Sequence, residues 1–177
     1  KIFLSNFQAV RHNQKKLVWF HAASIGECAS IIPLIEAINN NNKNTNFLIT
    51  TVTLSSSKMI ELKLSKHDNI FHRFFPLDTE KLAENFLSNW KPDLICFVDS
   101  EVWPNFLFKI KEKKIPLLLI NARLTRKSFN RWKIINNFAR RVFGNFDLCL
   151  AASEESKNNL KKLNIKNLKY FGNLKYS

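Results

Sequence analysis

Short apolar runs alternate with longer amphipathic stretches along almost the whole chain. Leu17 to Phe20, Phe47 to Val52, Ile70 to Phe75, Leu94 to Val98, Leu117 to Ile120, Leu148 to Ala151 and Leu168 to Phe171 are too short for helices. Their bounding turn residues mark them as strands. Between them, Glu27 to Asn40 places Ile31, Leu34, Ile35 and Ile38 on one helical face. Pro33 fits that helix only if it lies in the opening turns. Further helices are predicted from Ser55–Ser57 to about Leu64, from the Thr79 cap to Trp90, from Trp103 to Lys113, and from the Ser153 cap to about Leu163. Strands that alternate with helices across short loops predict an α/β fold with a doubly wound parallel sheet, in one domain over residues 1–177. Lys1 to Gln14 reads as a short basic helical lead-in, and the Asn-rich stretch Asn39 to Asn46 as a solubilising linker.

Composition narrows the partners without choosing one. The 177 residues are 45% hydrophobic and 24% charged, enough apolar surface for a packed core. The formal charge of +14 predicts attraction to an anionic partner: nucleic acid, a phospholipid surface or a phosphorylated substrate. Cys28, Cys96 and Cys149 are dispersed in apolar settings, which argues against a disulfide framework or a zinc site. The four histidines show no metal-ligand spacing, and no G-x-G-x-x-G or phosphate loop is present.

In a doubly wound sheet the loops at the carboxyl ends of the strands share one edge, where ligands bind. Here those loops carry the distinctive residues. His21-Ala22-Ala23-Ser24-Ile25-Gly26-Glu27 follows the first strand, with Gly26 relieving the turn and Glu27 at the helix start, where the macrodipole favours an ionised carboxylate. Thr50 to Ser57, including Thr53 and Ser55, reads either as a well-capped turn or as hydroxyls for a sugar or phosphate. Asp99-Ser100-Glu101-Val102-Trp103-Pro104-Asn105 follows the fourth strand, and Asn121-Ala122-Arg123 the fifth. Glu27, Glu101 and Arg123 make a plausible acid/base and anion-handling set. Glu27 also has an ordinary reading as a helix-end charge, and His21 as a packed histidine.

Four of these strings, in order, resemble the Kdo transferases, which attach 3-deoxy-D-manno-octulosonic acid to a lipid A precursor. They are His21 to Glu27; Asp99 to Asn105, with Asp99 where the family usually has Glu; Asn121 to Thr125 with Ser128; and Gly172-Asn173-Leu174-Lys175. Together they cover most of Trp19 to Lys175. The resemblance implies the amino-terminal, Rossmann-like and acceptor-side half of a GT-B glycosyltransferase. It implies CMP-Kdo as donor, inversion of configuration, and no essential metal or cofactor. By the same resemblance Glu27 is the catalytic base and Glu101 a second acid important for activity. His21, Ser24, Gly26, Thr53, Ser55, Asn105 and Arg123 are the substrate-binding candidates beside them. CMP-Kdo is expected to be held by a carboxyl-terminal domain that this chain does not carry, and the chain alone is expected not to turn over. The place of work it implies is the cytoplasmic face of the inner membrane.

One segment carries a separate question. From Arg123 to Arg141 seven cations occur without an acid, while Phe129, Trp132, Ile135, Phe138 and Val142 recur at helical spacing. Either a helix buries that stripe on the sheet, or it grips an anionic membrane, or both hold. A nucleic-acid module remains the competing class for the charge, but no RNA- or DNA-binding motif is present. Another GT-B enzyme, such as a sugar-nucleotide epimerase, is the competing enzyme class.

Overall fold

A computed structural model describes residues 15–163, 165 and 167–174. The expected lead-in helix, Lys1 to Gln14, lies outside the described residues, as does Lys175. The described residues form a seven-stranded sheet in which every strand pair is parallel. Its strands are β1 (Lys16–His21), β2 (Thr45–Thr51), β3 (Ile70–Phe74), β4 (Leu94–Val98), β5 (Leu117–Ala122), β6 (Leu148–Ala151) and β7 (Leu168–Tyr170). The spatial order is β3-β2-β1-β4-β5-β6-β7, so chain direction across the sheet reverses between β1 and β4. That switch point opens a crevice at the carboxyl ends of the two strands.

Seven helices among the described residues cover the two faces. Alternate residues of each strand point to opposite sides, so Trp19 and Phe20 enter different cores. On one face Trp19, Leu48, Phe97 and Leu119 pack against α3 (Glu80–Trp90), α4 (Pro104–Glu112), α6 (Asn136–Phe143) and α7 (Glu154–Lys161). On the other, Phe20, Ile49, Cys96, Val98 and Ile120 pack against α1 (Ile25–Asn41) and α2 (Leu54–Leu64). Trp19 is wholly buried within a ring of Phe75, Phe86, Phe97 and Phe106, at centroid distances of 6.1, 4.8, 5.6 and 5.8 Å. Each such pair adds about 0.5–1.5 kcal/mol beyond its area. This cluster sits directly beneath the carboxyl end of β1 and fixes where the loop after it begins.

Three expectations change. Pro33 lies in the third turn of α1, not the first, and the helix continues through it. Pro33 is exposed while Ile31, Ile32 and Ile35 are buried, so the carbonyl it leaves unpaired faces water and the apolar stripe holds the helix. The Asn-rich stretch is exposed from Asn40 to Asn44, as expected of a solubilising segment, but its ends, Asn39, Thr45 and Asn46, are buried. Asn69 Nδ2–H donates to Asn39 Oδ1 at 2.8 Å and locks the α1–β2 turn to the β3 entry. Finally, the basic stretch is two helices, α5 (Arg126–Ile134) and α6, broken at Ile135 with φ −110° and ψ 47°.

Candidate active site

Two loops meet at the switch point. The first begins at His21, the last residue of β1. His21 is paired in register with Thr50 on one side and Phe97 on the other, and it is fully buried. Its ring stacks on Phe75 at 4.0 Å. The expected packed histidine is therefore present, but it also carries a hydrogen-bond chain. Trp19 Nε1–H donates to Thr50 Oγ1 at 2.8 Å. Thr50 Oγ1 lies 2.9 Å from His21 Nδ1, and His21 Nε2 lies 3.1 Å from Glu101 Oε2. Trp103 Nε1–H reaches the same Glu101 oxygen at 2.7 Å and passes His21 Nε2 at 3.1 Å.

One assignment of protons satisfies this chain. The Trp19 indole donates to the Thr50 hydroxyl, and that hydroxyl donates to Nδ1. The imidazole then carries its proton on Nε2 and donates it to Glu101, beside the Trp103 indole. The shorter, charge-assisted partner of Trp103 is the carboxylate. Both donors converge on Oε2, so Glu101 is held by a histidine from β1 and a tryptophan from its own loop.

Glu27 is held differently. Ser24 is the N-cap of α1, its hydroxyl accepting from Glu27 N at 3.3 Å and donating to Glu27 Oε1 at 2.7 Å. The Ala23 amide donates to Oε2 at 2.8 Å. This is a capping box in which the acid reaches one residue beyond the cap. Burial raises the Glu27 carboxyl above its ordinary value of 4.5; the Ser24 and Ala23 hydrogen bonds oppose that, and the Glu101 and Asp99 charges add to it. The macrodipole alone suggested an easily ionised acid; desolvation outweighs it. A carboxylate with raised proton affinity is a better base than an exposed one.

The remaining candidates divide. Gly26 is helical, at the second position of α1, and supplies no left-handed turn, since the one described glycine with positive φ is Gly172. Thr53 caps α2 and is paired with Ser56, the well-capped turn, while Ser55 is exposed beside it. Asn105 braces the loop at Asp78: its side-chain Nδ2–H donates to the Asp78 backbone carbonyl at 2.8 Å. Asp78 in turn accepts the Asn105 and Phe106 amides, substituting for the cap that Trp103 does not provide to α4. Arg123 is exposed on the far side of β4, its amide bonded to the Asp99 carbonyl at 3.1 Å. It lines a polar cleft of about 390 Å3 with Asp99, Asn121, Thr125 and Ser153. Asp99 and Asn121, at the ends of adjacent strands, have φ of 59° and 51°. Such left-handed residues store strain, and short polar side chains tolerate it best.

Sequence reasoning passed over Thr50 and Trp103 as site residues, although both sit inside strings it singled out. It also passed over Ser56, whose hydroxyl donates to the Ala23 carbonyl at 3.1 Å and ties the α2 start to the Glu27 loop. The cysteines are buried and free, their thiols pushed up to about 12 by burial, so none is a nucleophile near neutrality. Among the described residues no helix is long and apolar enough to cross a membrane.

Comparison with known proteins bears on the family and the fold. The family model described as 3-deoxy-D-manno-octulosonic-acid transferase (kdotransferase) matches residues 3–177. The 3-deoxy-D-manno-octulosonic acid transferase of Rickettsia bellii is 36% identical over 94% of this chain and 39% of its own length. That of Rickettsia typhi is 38% identical over 94% of this chain and 36% of its own length. The chain thus spans well under half the length of the curated relatives it matches. Among solved structures, UDP-GlcNAc 2-epimerase from Neisseria meningitidis superposes with a TM-score of 0.61 at 19% identity, over 92% of this chain and 47% of that one. That likeness shows the fold, one Rossmann-like half of a GT-B enzyme, and leaves the chemistry to the sequence match. On that match, the chain belongs to the 3-deoxy-D-manno-octulosonic acid transferase family.

Proposed function

We propose that this chain is the acceptor-side part of a glycosyltransferase that moves Kdo from CMP-Kdo to a sugar hydroxyl of a lipid A precursor. Glu27 is the base. The observation that carries the reading is its setting: a half-buried carboxylate with raised proton affinity, clamped at the mouth of the switch-point crevice. Each of its oxygens accepts one internal hydrogen bond, and a carboxylate oxygen has a second lone pair for an incoming hydroxyl. The acceptor O–H gives its proton to Glu27 as its oxygen attacks the anomeric carbon. The bond to CMP breaks with its electrons going to the departing phosphate, and attack from the opposite face inverts the centre. Glu101, fixed through Oε2 by His21 and Trp103, leaves Oε1 to orient a sugar hydroxyl. Arg123 faces the polar cleft and balances the acceptor's phosphate or the donor sugar's carboxylate. In this reading the carboxyl-terminal part of the full-length enzyme supplies the nucleotide pocket, and no metal or cofactor takes part.

The test is Kdo transfer from CMP-Kdo to a lipid A precursor by the full-length protein with and without Glu27→Gln. Loss of about two orders of magnitude in kcat, with the fold intact by circular dichroism, is expected for a general base. Turnover within a few-fold of the parent would move the base to Glu101. No transfer by the parent would sink the reading.

A further inference from the structure

We propose that Ser56 is a positioning residue for the base: its hydroxyl sets where the backbone at Ala23 holds Glu27. The inference rests on the reading of Glu27 as that base. The two groups that grip its carboxylate, the Ser24 hydroxyl and the Ala23 amide, both belong to the β1–α1 loop. Ser24, Ile25 and Gly26 are exposed, so the protein holds this loop from its inner side. There it is tied at successive residues. The Ala22 amide donates to the Thr50 carbonyl at 3.0 Å, and the Ser56 hydroxyl donates to the Ala23 carbonyl at 3.1 Å. Ala23 is thereby fixed at both ends, its N–H on Glu27 Oε2 at 2.8 Å and its C=O on Ser56.

The Ser56 hydroxyl is not needed by its own helix. Thr53 caps α2 by accepting from the Ser56 backbone amide at 3.2 Å, a task that any residue except proline at position 56 would meet. Val52 to Ser55 are exposed, whereas Ser56 is wholly buried and bonds to a loop 33 positions earlier in the chain. A buried hydroxyl needs partners, and counting protons gives this one a direction. Ser56 has one hydroxyl proton and gives it to the Ala23 carbonyl, so the 2.7 Å contact between Thr53 Oγ1 and Ser56 Oγ is a bond that Thr53 donates. The chain therefore runs from Thr53 O–H to Ser56, from Ser56 O–H to the Ala23 carbonyl, and from Ala23 N–H to Glu27. Alanine at position 56 would keep the cap and release the Ala23 carbonyl. A misplacement of about 1 Å can cost about a hundredfold in rate; with the Ala22 and Ser24 bonds still in place the shift is smaller, and a loss of about tenfold is expected.

The experiment measures Kdo transfer by the full-length protein carrying Ser56→Ala, Ser56→Thr, Glu27→Gln, or Ser56→Ala together with Glu27→Gln. Ser56→Ala should lower kcat about tenfold and leave KM within about twofold of the parent. Ser56→Thr keeps the hydroxyl and should stay within about threefold of parent kcat. In the Glu27→Gln background, Ser56→Ala should cost nothing further, because a residue that acts through Glu27 then has nothing to position. Urea unfolding of each variant checks that it folds. Parent-like kcat for Ser56→Ala beside a disabled Glu27→Gln protein would overturn the proposal and leave the base reading standing. So would a Ser56→Ala loss that multiplies with the Glu27→Gln loss, the mark of general damage, or an equal loss in a folded Ser56→Thr protein. A Glu27→Gln protein as active as the parent would remove the base itself, and the proposal would fall with it.

Discussion

Thr50→Val isolates the link between the core and the site. Valine keeps the shape of threonine and the β-branched backbone preference, so what changes is the hydroxyl. That hydroxyl is wholly buried, accepts from Trp19 Nε1 at 2.8 Å and faces His21 Nδ1 at 2.9 Å. Without it the Trp19 indole N–H, sealed among four phenylalanine rings, has no acceptor in its place. Nδ1 retains the Thr50 carbonyl at 3.2 Å, but using it requires the imidazole proton to move to Nδ1. Nε2 would then present a lone pair to Glu101 Oε2 at 3.1 Å. Trp103 Nε1–H, 3.1 Å from Nε2, can donate to that lone pair, so the buried group left unsatisfied is the Trp19 N–H, and the expected loss of stability is about 1–3 kcal/mol. Thr50→Ser retains the hydroxyl and removes one methyl, at about 1 kcal/mol. Urea unfolding of the full-length protein reads both, with an unchanged m-value as the check on comparability. A valine variant no less stable than the serine variant would refute the hydrogen-bond chain. Turnover should fall with valine and not with serine, because Glu101 loses its fixed orientation only in the former.

Asp99 is one of two acids whose charge raises the Glu27 carboxyl. Removing it with Asp99→Asn makes Glu27 easier to ionise, so the acid limb of the kcat/KM profile should move to lower pH; asparagine tolerates the left-handed φ of 59° at that position. An unmoved limb would show that Glu27 does not govern it. Pro33→Ala restores an amide to the middle of α1 on its solvent side, and the gain from the recovered helix bond exceeds the unfolded-state entropy lost with proline. A stabilisation of about 1–2 kcal/mol in urea unfolding is expected, and a destabilised variant would mean that Pro33 fixes a bend the α1 packing needs.

Most of the architecture was legible because local and global signals agreed. The run Leu94 to Val98 is apolar on both faces, as a central parallel strand must be, and Thr79 with Glu80 opens a helix whose Ala83, Phe86, Leu87 and Trp90 fall on one buried face. The basic segment misled because its apolar spacing is helical throughout. The run Ile134-Ile135-Asn136-Asn137 has low helix propensity, and the chain breaks there. Asn39 and Asn46 were read as solvent-facing by type, whereas their burial depends on partners such as Asn69 that only the β2–β3 pairing brings near. The same holds in the site. The cap on Glu27 is a local pattern, Ser24-x-x-Glu27, that the sequence reading missed because it began the helix at Glu27. The Thr50–His21–Glu101 chain is not local, since its members lie 29 and 80 positions apart and meet only through the neighbours that β1 acquires in the sheet.

The placement of β1 also sets a schedule for synthesis. β1 can pair with β2 as soon as both have left the ribosome, yet its other edge must wait for β4, and the His21–Glu101 contact closes a loop of 80 positions. Until then β1, with Leu17, Val18, Trp19 and Phe20 in succession, carries an open edge, the kind of surface on which nascent chains aggregate. Parallel, long-range pairings of this sort form slowly. Substitutions at the β1–β4 seam would therefore depress the yield of folded protein more than they lower its equilibrium stability, and the His21–Glu101 contact cannot form before β4 has been made.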